Sequence, residues 1–148
     1  MKPRKQMSIL TRLLFILLFI GIVQAGRTKL TESAELASYA QDLYRQKGID
    51  ISRSAFDLEE KESQGRLFVI RLISRDATLS DDLLQAFLIG GAVSQHARSR
   101  IDHIVVIAEV EFSHREPMII RAKGDCCEKL YNNRMTVDVF TQECLRME

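Results

Sequence analysis

The sequence predicts an α+β fold: a mainly antiparallel four-stranded sheet with helices on one face, followed by a helical C-terminal tail. Three observations carry that prediction. Helical periodicity appears over residues 32–47 and again over 80–99, and two strand-like runs follow each helix. The order is therefore helix–strand–strand repeated twice, which assembles most simply into one layered domain. Ile-Asp follows both helices, as Ile49-Asp50 and Ile101-Asp102; two residues are a weak match, better explained by convergence than by duplication.

The first helix, from Glu32 to Lys47, places Leu36, Ala37, Ala40, Leu43 and Tyr44 on one stripe, with Glu35, Gln41, Asp42 and Arg45 elsewhere. Thr31 suits its N-cap, and Gly48 suits a left-handed residue past its end. From Ala55 to Glu62, Phe56 and Leu58 alternate with Asp57 and Glu59, as in a sheet with one wet face. Ser63-Gln64-Gly65 is a turn. Leu67 to Ser74 is apolar at nearly every position, which predicts a central strand buried on both sides.

The second helix spans Ser80 to Ser99, with Thr78 and Asp81 as a capping box. Its interior, Leu83 to Val93, is apolar almost all round, yet it contains Gly90-Gly91-Ala92. Each glycine costs about 1 kcal/mol of helix propensity, so another element is expected to approach closely there. The third strand is His103 to Phe112, Ser113 to Glu116 turns, and Pro117 to Ala122 returns. Asp125 and Glu128 fit the cap of a short helix carrying Cys126, Cys127, Leu130 and Tyr131. Val137, Phe140, Thr141, Cys144 and Leu145 recur at helical spacing, while Met135, Val137 and Val139 alternate as a strand would. A terminal helix is the reading adopted, with helix and strand both open for residues 134–148.

Residues 1–25 have the three-part form of a secretory signal peptide. Lys2, Arg4, Lys5 and Arg12 make a basic start, Leu13 to Val23 is apolar, and the cut is expected after Ala25. A retained membrane anchor is the alternative, but it ordinarily needs about 18–20 apolar residues. A lipoprotein would need cysteine where Gly26 stands. Removing 25 of 148 residues leaves 123, suited to a single domain over 26–148. Four of the 21 basic residues leave with the signal and none of the 20 acidic ones, so 17 − 20 gives −3. That balance argues against nucleic acid as a partner, and against a membrane surface unless the N-terminal segment stays as an anchor. The expected location is exported, periplasmic or secreted.

Chemistry is sparse. His96, His103 and His114 have no metal-ligand spacing, and neither a nucleophile elbow, a phosphate-binding glycine loop nor a Cys-x-x-Cys motif occurs. The acids Asp57, Glu59, Glu60 and Glu62 alternate across a strand and cannot converge on a cation. No catalytic residue and no cofactor is assigned, and an enzyme is the less favoured reading. Adjacent cysteines are too constrained to bridge each other easily, so either Cys126 or Cys127 is expected to pair with Cys144 in an oxidising compartment. The other thiol is then buried or free to pair outside the chain.

The sheet's second face would carry Leu67, Val69, Ile73, Val105 and Ile107, an apolar patch too large to leave in water. Either the C-terminal helices cover it or a partner does. The function read from sequence is an exported, non-enzymatic domain that binds another protein or a second copy of itself. The alternative is a thiol redox or metal-binding protein using Cys126, Cys127 and Cys144.

Overall fold

Local sequence forces dictate most of the elements in the computed structural model, which describes residues 31–148. The predicted signal peptide and its cut site lie outside the described residues. Helix α1 covers residues 31–46 and ends at Gly48, whose φ of 77° is the left-handed turn that glycine adopts freely. A 3-10 turn at Arg53–Ala55 leads into β1 (Phe56–Lys61), and β2 is Gly65–Ser74. Helix α2 is Leu79–His96, followed by β3 (His103–Val110) and β4 (Met118–Lys123). Two short helices, α3 (Gly124–Tyr131) and α4 (Val137–Glu143), precede a two-residue strand, β5 (Arg146–Met147). Ser33–Glu148 forms one compact unit. Among the described residues, no helix is long and apolar enough to cross a membrane.

The fold is α+β, but the sheet departs from the expected four antiparallel strands. It has five, in the order β1-β2-β3-β4-β5, and it is mixed. β1 with β2, β3 with β4 and β4 with β5 are antiparallel. The two central strands, β2 and β3, run parallel, with Leu67 opposite His103 and Ser74 opposite Val110. The reason is the connection: α2 carries the chain back along the sheet, and a helical crossover delivers the next strand in the same direction. The fifth strand arises because the chain beyond α4 returns to β4, pairing Met147 with Ile120 and Arg146 with Arg121. Residues 134–148 are thus helix first and strand after.

One sheet face carries the core. Phe56, Phe68, Ile70, Leu72, Ile104, Val106, Ala108, Ile120 and Ala122 pack beneath Leu36, Ala40 and Tyr44 of α1 and Phe87, Ile89 and Val93 of α2. Phe68, Phe87 and Ile104 are wholly buried, each contributing about 1.5–3 kcal/mol of hydrophobic stabilisation. Cys126, Cys127 and Leu130 of α3, with Phe140 of α4 and Cys144, belong to the same cluster. The C-terminal helices therefore sit on the face that holds α1 and α2, rather than over the second face. On that second face Leu67, Val69 and Val105 are buried together, Ile107 and Ile119 are half-buried, and Ile73 stands 70% exposed.

The paired glycines of α2 are explained by two different neighbours. A β-carbon at Gly90 would meet the Ile104 side chain of β3, and one at Gly91 would run into the Cys127 carbonyl of α3. The expected close approach comes from both sheet and helix.

The caps are built differently from the sequence expectation. Thr78 makes no side-chain cap to the α2 backbone; its hydroxyl donates to Asp82 Oδ2 at 2.9 Å. Likewise Lys123, not Asp125, precedes α3, and Glu128 accepts from the Ser94 hydroxyl at 2.6 Å. The two Ile-Asp pairs are not equivalent. Ile101 is buried and Asp102 accepts from the Arg66 backbone N–H, whereas Ile49 and Asp50 are exposed in the loop after α1.

Candidate functional site

Unequal strand lengths create a cleft beside β2. β1 has six residues and β2 has ten, and their pairing stops at Phe56 opposite Ile70. The last four residues of β2, Arg71–Ser74, pair with β3 alone. The chain that would have continued β1 is held aside. Gly48 turns it off α1, Gln41 Nε2 donates to the Ile51 carbonyl at 2.9 Å, and Ala55 N–H closes a turn on the Ser52 carbonyl. Between this loop and the edge of β2 lies a cleft of about 340 Å³.

Its floor is Tyr44 of α1, Leu72 of β2 and Gln85 of α2, and its rim includes Ile49, Asp50, Arg71 and Asp82. The volume falls within the usual range of ligand sites. Peptide groups alternate along a strand. Glu111 N–H donates to the Ser74 carbonyl at 2.8 Å, so Ser74 and Leu72 turn their amides toward β3. Ile73 then turns its amide and carbonyl toward the cleft, beyond the last pair of β1, while the Arg71 N–H faces the Ala55 carbonyl that closes the Phe56–Ile70 pair.

Two polar atoms in the cleft are buried without a hydrogen-bond partner, the Tyr44 hydroxyl and Gln85 Nε2. An unpaired buried polar group costs about 1–3 kcal/mol, so both atoms hold unmet hydrogen-bonding capacity at the wall of the cleft. Tyr44 is only 4% exposed. Burial, and secondarily the charge of Asp82, raises its hydroxyl pKa well above the ordinary phenol range. Asp82 takes hydrogen bonds from Ser74 and Thr78, both on Oδ2, which leaves Oδ1 for another donor. The rim cation, Arg71, faces Glu59 at 3.8 Å.

Beside the cleft the sheet ends in an exposed apolar pair. Ile73 lies opposite Glu109, and two residues beyond the end of β3 the fully exposed Phe112 has a φ of 59°. A left-handed conformation costs a bulky residue roughly 1–2 kcal/mol, and such strain concentrates at contact sites.

The cysteines occupy a separate place. Cys126 and Cys144 are at disulfide distance, 18 residues apart in sequence, and Cys127 is a buried free thiol. Successive residues on a helix point about 100° apart, so Cys126 faces Cys144 while Cys127 turns into the core. Burial first, then the charges of Asp125 and Glu128, pushes the Cys127 thiol far above the ordinary range. That is the setting of an inert thiol rather than a nucleophile. Among the described residues, no group of three or more His, Cys, Asp or Glu is placed to hold a metal ion.

Histidines are dispersed. His96 stacks on Tyr39 with ring centroids 4.2 Å apart, His103 Nδ1 meets the Gln64 carbonyl, and His114 is exposed in the β3–β4 loop.

Of the five residues expected at an interface, Ile73 alone stands well exposed, and Leu67, Val69 and Val105 are buried. Sequence reasoning missed Tyr44, Asp82 and Gln85 as a set, because they meet only once the register of β1 on β2 is known. The sequence runs Ala55 to Glu62 and Leu67 to Ser74 are equally long, so nothing in them signalled the uneven edge. No family model, curated protein or solved structure matches this chain.

Proposed function

We propose that this chain is an exported, non-enzymatic domain that binds another protein, with its contact surface at the sheet end bearing Ile73 and Phe112. The observation that carries the reading is their exposure: Ile73 is 70% exposed and Phe112 fully so, both near the end of the sheet where β2 and β3 finish. Isolated exposed apolar residues are ordinary, but two large ones at the same end of the sheet, one of them lining a cleft, suit a contact site. Export is supported by the signal-like pattern of residues 1–25 and by the Cys126–Cys144 pair, which an oxidising compartment maintains. The thiol-redox alternative is disfavoured by the burial of Cys127.

Two measurements test this. A reporter enzyme active only outside the cytoplasm, fused after Glu148, is expected to be active; an inactive, intact fusion refutes export. A photo-crosslinking residue replacing Phe112 is expected to give a discrete adduct in cells, while the same probe at the exposed Arg45 of α1 gives none. An adduct with a second copy makes the partner the chain itself. No adduct from position 112, or equal adducts from both positions, overturns the contact surface.

A further inference from the structure

The cleft beside β2 has the features of a strand-addition site. An added strand is held by main-chain hydrogen bonds along an open edge, and its alternate side chains enter pockets. Here the open edge is the Arg71 carbonyl and the Ile73 amide and carbonyl, the pocket is walled by Tyr44, Ile51 and Leu72, and the exposed Ile73 side chain extends the apolar surface beyond it. The polar groups select the side chain. Asp50 and Asp82 line the cleft, Asp82 keeps one carboxylate oxygen unused, and Arg71, the rim cation among the described residues, is engaged with Glu59. The buried, unpartnered Tyr44 hydroxyl is an independent sign that a hydrogen-bonding group is missing.

We propose that the cleft binds an extended peptide segment of another protein, its main chain adding to β2 at the Arg71 carbonyl and at Ile73, and a lysine or arginine reaching Asp82. The proposal rests on the protein-binding reading and names the chemistry of the partner. A compact small ligand would use the pocket without the strand edge, which distinguishes the two.

The test uses the purified protein and three fluorescein-labelled heptapeptides of alternating threonine and valine. One has lysine at its centre, the second has glutamate there, and the third is the lysine peptide N-methylated on alternate amides, prepared in both phases. Fluorescence anisotropy is expected to show saturable binding of the lysine peptide and at least tenfold weaker binding of the glutamate peptide. Methylation in one phase abolishes binding, while methylation in the other leaves it. Tyr44→Phe removes the unpaired hydroxyl, and at unchanged circular dichroism it is expected to weaken binding at least threefold. Asp82→Asn provides a second variant, expected to erase the preference for lysine over glutamate.

No saturable binding by any peptide overturns the proposal, as does equal binding of the lysine and glutamate peptides. Binding that ignores methylation in both phases also overturns it, and points to a ligand held by the pocket alone. A partner crosslinked through position 112 with no peptide binding leaves the protein-binding reading standing and removes strand addition only.

Discussion

Replacing Gly91 by alanine sets two effects of opposite sign against each other. In an exposed helix interior the change would stabilise by about 1 kcal/mol through helix propensity. Here the added β-carbon lands on the Cys127 carbonyl, a backbone atom of α3. α3 cannot easily withdraw, because its next residue toward the N-terminus, Cys126, is at disulfide distance from Cys144, and Ser94 holds Glu128 through a hydrogen bond. Overpacking of a fitted core costs typically about 1–3 kcal/mol. The expected net change is a loss of about 1–2 kcal/mol. Urea unfolding followed by circular dichroism measures it, with Gln95→Ala on the exposed side of the same helix as a control expected to be near neutral. The thermal midpoint falls by several degrees, on the order of 3–8 °C for a domain of this size. A Gly91→Ala protein as stable as the parent, or more so, refutes the close contact of α2 with α3.

Two further measurements address the thiols. Replacing both Cys126 and Cys144 by alanine opens an 18-residue loop and is expected to cost about 3 kcal/mol under oxidising conditions; a loss below about 1 kcal/mol in denaturant unfolding argues against the bridge. Cys127 and Tyr44 both have folded-state pKa values raised above their unfolded ones. Their stabilising effect is complete below the unfolded pKa of the thiol and is lost as pH rises past it, so stability falls above about pH 8.5. Cys127→Ala removes the earlier part of that fall, and an unaltered alkaline profile in this variant means the thiol is not buried in solution.

Much of the fold was legible because its signals are local. The stripe of Leu36, Ala40 and Tyr44 marked α1, the alternation of Phe56 and Leu58 marked β1, and the continuous apolar run of β2 marked a central strand. What sequence alone obscured depends on partners distant in the chain. The parallel pairing of β2 with β3 follows from the path of α2 across the sheet, and β5 exists only because Met147 finds Ile120. The choice of Cys126 over Cys127 is a matter of helical phase against a helix whose position the sequence does not state. Alternation placed Leu67, Val69 and Val105 on the second face and required that they be covered, without saying what supplies the cover. The cleft was hidden for a related reason. Tyr44, Leu72 and Gln85 come from three elements, and each alone reads as an ordinary packing or helix residue.

The parallel ladder at the sheet centre also governs how the chain reaches this structure. The hairpins β1–β2 and β3–β4 close over short turns and form quickly, but joining them means aligning Leu67 with His103 across 35 intervening positions. Loop-closure entropy opposes that step before any central contact offsets it. Until α2 has laid the chain across, each hairpin presents a raw inner edge of apolar strand. A chain interrupted within α2 is therefore a template for edge-to-edge aggregation rather than half of a working protein.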